Sequence, residues 1–119
     1  MRGQLVLLLA AALLAAGSGW APLQAAGSGN PRNDRLAALP PTQQAQALAN
    51  GLRRGCVGVS AFPMGVTATG KAKGTAYWSV RCKNVKSYAV EIPRTTKGPM
   101  PFVDCQQLQG TGRECFKKF

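Results

Sequence analysis

Apolar and polar positions alternate most clearly between Thr75 and Ile92. Ala76, Trp78, Val80 and Cys82 alternate with the more polar Ser79 and Arg81, and Tyr88, Val90 and Ile92 alternate with Ser87 and Glu91. A period of two predicts two half-buried strands, joined by a turn near Asn84. Their register follows from arithmetic. A two-residue loop at Asn84-Val85 pairs residues whose numbers sum to 169, which sets Trp78 opposite Glu91 and splits the apolar residues between faces. A three-residue loop gives a sum of 168 or 170, and Trp78, Val80, Tyr88, Val90 and Ile92 then share one face. One buried face fixes register, so the odd loop is predicted, with Ser79 and Arg81 outside. That loop wants a left-handed residue at Val85, where a β-branched side chain is strained.

Weaker patterns flank this hairpin. Phe102-Val103 reads as a short strand, followed by a brief helix capped by Asp104, with Gln107 at the capping-box position and Gly110 as its stop. Val57 to Phe62, ahead of Pro63, suits an edge strand, and Glu114 to Phe119 an extended tail. Upstream, Gly27-Ser28-Gly29-Asn30-Pro31 has linker composition. Leu36 to Leu39 runs into Pro40-Pro41, which stops any helix there. A helix capped by Thr42 would carry Ala45, Leu48, Ala49 and Leu52 on one thin face, expected to dock weakly or not at all. The expected class is α+β: a small antiparallel sheet built on a central hairpin, with one or two short helices.

The first residues read as an address. Met1-Arg2 gives a positive start, Leu5 to Ala16 is uncharged and apolar, and Gly17-Ser18-Gly19 and Pro22 lead to small residues at Ala25 and Ala26. This is the order of a secretory signal peptide. The apolar run is too short for a membrane span, which needs about 20 residues. Cleavage is placed after Ala25, with Ala26 or the Ala15–Gly17 stretch as alternatives. The chain thus divides into a signal peptide (1–25), a flexible linker with a weak helix (26–55) and a stapled domain (56–119). Trp20 leaves with the leader, so Trp78 becomes the only tryptophan.

All four cysteines, Cys56, Cys82, Cys105 and Cys115, lie in the last block. A domain near 60 residues buries only about 60% of its unfolded surface and benefits from covalent staples. In an oxidising compartment two disulfides are the simplest outcome. Three pairings are open; Cys56–Cys82 with the local pair Cys105–Cys115 is favoured. Spacings of 26, 23 and 10 contain no C-x-x-C knuckle for zinc or for a redox dithiol.

The segments Ala76-Tyr77-Trp78-Ser79-Val80-Arg81-Cys82, Ser87-Tyr88-Ala89-Val90, Val103-Asp104-Cys105 and Glu114-Cys115-Phe116-Lys117-Lys118-Phe119 carry a resemblance. Over about Gly55 to Phe119 the chain resembles a family of small exported bacterial proteins with four cysteines. The resemblance implies export and two disulfides, and it implies no activity. The resemblance leads one to expect Asn-Gly in the hairpin turn; here Val85 stands in place of the glycine.

Composition narrows the chemistry. The 119 residues include 15 Lys+Arg, 4 Asp+Glu and no histidine, for a net charge of +11. Without imidazole there is no Ser–His or Cys–His nucleophile pair and no His-ligated metal. Asp34, Glu91, Asp104 and Glu114 are scattered along the chain. No catalytic residue, cofactor or metal is expected. Gly65 to Ala72 nearly spells a phosphate-binding loop, but Ala72 replaces the magnesium-holding hydroxyl and Lys73-Gly74 begins a turn rather than a helix. The closing Phe119 is shared with outer-membrane barrel strands, yet Arg113 and Lys117 would then have to face lipid.

Charge is the remaining lead. Lys71 and Lys73 share one loop, Lys83 and Lys86 flank the hairpin turn, and these four are the candidate anion-binding residues. They are expected to converge into a patch for an anionic envelope polymer or lipid surface. Nucleic acid is not favoured, because base stacking wants several exposed aromatics and Tyr77 is a single one. The sequence thus describes a periplasmic or secreted basic protein without enzymatic activity and with no membrane anchor after cleavage. The alternative is an accessory or inhibitory module docking to another envelope protein through the hairpin edge.

Overall fold

The computed structural model describes residues 27–52 and 55–119; the expected leader lies outside them. Strands β1 (Gly58–Val66), β2 (Ala76–Cys82), β3 (Ser87–Ile92) and β4 (Phe102–Asp104) form one antiparallel sheet in the order β1-β2-β3-β4. Helices α1 (Pro31–Ala37) and α2 (Pro41–Leu52) precede it, and a 3-10 helix (Cys105–Leu108) follows it. The class is α+β, stapled by Cys56–Cys82 and Cys105–Cys115.

The central hairpin has the odd loop. Trp78 pairs with Val90 and Tyr77 with Glu91, so partner numbers sum to 168. Trp78, Val80, Tyr88, Val90 and Ile92 are all buried on one face. Val85 takes the left-handed conformation, with φ 64. Its side chain is 91% exposed, so packing does not offset the strain. β1 runs on through Pro63 to Val66. As an edge strand it tolerates a residue without an N–H, and its register shifts on either side of Pro63, between Gly58 and Ser60 and between Pro63 and Gly65.

The segment read as linker and weakly docked helix is a packed layer. Leu36, Leu48 and Leu52 join Trp78, Val80, Val90 and Ile92 in one core. The thin face of α2 docks tightly because Ala45 and Ala49 let the backbones approach. A Cβ at Gly58 would collide with the Ala45 carbonyl, so β1 and α2 meet where both side chains are minimal. Proline starts both helices rather than only stopping them; its missing N–H is no loss in a first turn. Asn30, not a linker residue, caps α1 by accepting from the Asn33 N–H at 3.1 Å. Its Nδ2 donates to the carbonyls of Gly74 (2.9 Å) and Ile92 (2.8 Å). One buried amide thereby ties the helix start to a turn and to the end of β3.

Ser79 corrects a second expectation: it is fully buried, not outside. The far face of the sheet has its own cover. The C-terminal tail lies across it, and the Phe116 N–H donates to Ser79 Oγ at 2.9 Å. The Ser79 hydroxyl in turn donates to Met64 Sδ at 2.9 Å. Arg81 is exposed as expected, its guanidinium 4.8 Å from the Phe116 ring centroid. The molecule is therefore three layers: helices, sheet and tail.

Candidate functional site

The four candidate lysines do not converge. Lys71 and Lys73 lie in the β1–β2 turn, before Ala76; Lys83 and Lys86 lie in the β2–β3 turn, after Cys82. The seven residues of β2 separate the two turns, roughly 20 Å at about 3.3 Å per residue. The companions of Lys71 and Lys73 come instead from the segment leaving β3 at their own end, which carries Arg94 and Lys97. Arg94 lies across Gly74, where any side chain would strike its Cγ and Cδ. Lys73 and Arg94 border a recess of about 300 Å³ that Ser28 and Thr67 also line. The near phosphate-loop sequence is the end of β1 and this turn, with Gly70 and Gly74 both at positive φ.

A larger cleft, of about 470 Å³, lies between the outer sheet face and the C-terminal tail. Strand alternation builds its floor. Tyr77, Ala89, Glu91 and Val103 all point away from the Trp78 face, and Ala89 sits between Ser79 and Val103 in the register. Leu108 of the 3-10 helix, Met64, Pro101, Phe102 and Phe119 add to the apolar lining. The tail is held by the Cys105–Cys115 disulfide, by the Phe116 N–H on Ser79, and by the Phe119 N–H donating to the Met64 carbonyl at 3.2 Å. Phe119 meets Tyr77 edge-on, ring centroids 5.7 Å apart.

Polar groups ring this cleft. The Tyr77 hydroxyl donates to Glu91 Oε1 at 2.9 Å. Partial burial, and then the adjoining Glu91 carboxylate, push that hydroxyl above its ordinary value of 10.0. Lys117 pairs with Glu114 at 2.9 Å, which raises the Lys117 ammonium. Arg113 places its guanidinium 5.7 Å from the Phe119 ring centroid, a cation–π arrangement. Lys118 lines the same rim.

The sequence singles out several of these residues, Tyr77 as a stacking candidate, Glu91 and Glu114 as scattered acids, and Arg113, Lys117 and Phe119 as a tail unsuited to lipid, but it does not bring them together. The Tyr77–Glu91 pair was available from the register, since 77 and 91 sum to the same 168. Nothing periodic marks the tail, so Arg113, Lys117, Lys118 and Phe119 gave no signal of where they fold back.

Each of the four Asp and Glu side chains is engaged. Asp34 accepts from the Ser28 N–H at 3.0 Å and hydroxyl at 2.8 Å, which holds its carboxyl below the ordinary range. Asp104 accepts from the Gln106 N–H at 2.9 Å, Glu91 from Tyr77, and Glu114 faces Lys117. Among the described residues, Glu114 alone forms an ion pair. Family models, curated proteins and solved structures yield no match to this chain.

Proposed function

We propose that this is an exported, disulfide-stapled, non-enzymatic protein that makes salt-sensitive contacts with anionic envelope material through two separate basic ends of its sheet. The observation that carries the reading is the engagement of the acids. With Asp34, Glu91 and Asp104 turned to uncharged donors, Lys71, Lys73, Arg94 and Lys97 at one end, and Lys83 and Lys86 at the other, have no counter-ion among the described residues. Unneutralised charge on a +11 chain attracts polyanions over long range. Two disulfides suit an oxidising compartment, and no described helix is long and apolar enough to cross a membrane.

Heparin chromatography in a salt gradient tests the reading. Replacing Lys71, Lys73, Arg94 and Lys97 together by Gln should bring elution to clearly lower salt. Lys83→Gln with Lys86→Gln should shift it less. Elution of both variants with wild type would refute it.

The docking-module reading takes a different surface from the one expected. β2 and β3 are internal, so the hairpin has no free edge. The free edge next to exposed apolar residues is that of β1, with Val57 61% and Val59 52% exposed. Strand addition there is the form this second reading takes.

A further inference from the structure

We propose that the cleft beneath the C-terminal tail binds a small amphipathic carboxylic acid, its apolar body on the floor and its carboxylate at Arg113 and Lys118. This site is distinct from the basic ends and does not rest on them. Its volume of about 470 Å³ falls within the range of small-molecule sites, roughly 300–1,000 Å³. The apolar floor comes from three elements: Ala89 on β3, Val103 on β4 and Leu108 on the 3-10 helix. The smallest of them, Ala89, stands at the centre of the register between Ser79 and Val103. Phe119 and Met64 close one side.

The rim then selects the head group. Glu91 already receives the Tyr77 hydroxyl, and Glu114 already faces Lys117. Arg113 and Lys118 have no acid partner among the described residues. A neutral apolar ligand would leave both cations unanswered at the edge of an apolar cavity. A cation would be repelled by them. A multiply charged anion would meet Glu91 and Glu114. One carboxylate on an apolar body satisfies both floor and rim, and Arg offers that carboxylate a two-point contact. The tail supplies both cations and the Phe119 wall, so the disulfide that anchors it also shapes the site.

The test is calorimetric titration of the purified, oxidised protein with decanoate, decanol and decyltrimethylammonium, kept below their micellar range. Decanoate should bind one to one. Decanol should bind about tenfold or more weakly, and the ammonium should give no saturable binding. Arg113→Glu with Lys118→Glu, both on exposed side chains, should abolish decanoate binding while the protein still unfolds cooperatively and Trp78 keeps the emission of a buried indole. Val103→Phe, which fills the floor, should weaken it while the heparin elution of the protein stays put. The Lys71, Lys73, Arg94 and Lys97 replacements should alter heparin elution and leave decanoate binding intact. Equal binding of decanoate and decyltrimethylammonium, no decanoate binding, or decanoate binding untouched by both cleft variants would overturn the proposal without bearing on the basic ends.

Discussion

The indole N–H of Trp78 donates to Asn33 Oδ1 at 2.7 Å, joining the centre of the sheet to the helix layer. Both residues are buried, so neither group has water as an alternative partner. Asn33→Ala leaves the indole donor unpaired and should destabilise the protein by about 1–3 kcal/mol. Trp78→Ala also opens a core cavity and should cost about 3–5 kcal/mol. Urea unfolding followed by circular dichroism measures both. An Asn33→Ala variant as stable as wild type would mean that α1 does not hold the sheet as described.

Val85 gives a prediction of the opposite sign. A β-branched residue at φ 64 is strained, and its exposed side chain returns nothing. Val85→Asn should stabilise the fold by about 1 kcal/mol, the order of the left-handed penalty. Chemical denaturation of the two proteins side by side checks this, and an unchanged midpoint would place the loop in another conformation.

Val85 and Asn33 also show what the sequence could and could not reveal. The hairpin, its register and its strained turn were legible, because alternation has a period of two and a one-residue slip would expose the whole apolar set. The short 3-10 helix was legible through Asp104, whose cap is a local interaction. α1 was not. Asn30-Pro31 has the composition of a linker, and only long-range partners, the Gly74 and Ile92 carbonyls, make it a buried cap. The cleft was half legible: Tyr77, Ala89 and Glu91 follow from the register, whereas the tail that roofs them has no pattern to read. The lysines were placed on the right loops, but β2 holds those loops at opposite ends.

The tail should be separable from the core. Ser79→Ala removes the acceptor for the Phe116 N–H and should cost about 1 kcal/mol. Replacing Cys105 and Cys115 together by Ala should cost about 3 kcal/mol through the lost loop constraint. In both variants amide exchange should quicken at Phe116 and Phe119, while Trp78 keeps the emission of a buried indole. Red-shifted Trp78 emission would show that the tail and the helix-side core unfold together.

Stability at alkaline pH should carry the mark of Tyr77. The folded state raises its pKa above 10.0, first through burial and then through Glu91. The folded protein thus holds that proton more tightly than the unfolded chain. The stabilisation is fully present below pH 10 and is lost as pH rises through the folded pKa. In a Tyr88→Phe background, phenolate absorbance should report a Tyr77 midpoint above 10, and Glu91→Gln should bring it down. A midpoint at or below the free-tyrosine value would contradict the hydrogen-bonded pair.

The most direct test of the proposed function is binding of the purified, oxidised protein to phosphatidylglycerol vesicles over a series of salt concentrations. Each basic residue near an anionic surface contributes about 1 kcal/mol, and that attraction is screened by salt. The apparent affinity should fall steeply as salt rises, and should fall less steeply, from a lower starting value, once Lys71, Lys73, Arg94 and Lys97 are replaced by Gln. Binding that ignores salt, or a replaced protein that follows the wild-type curve, would contradict the account.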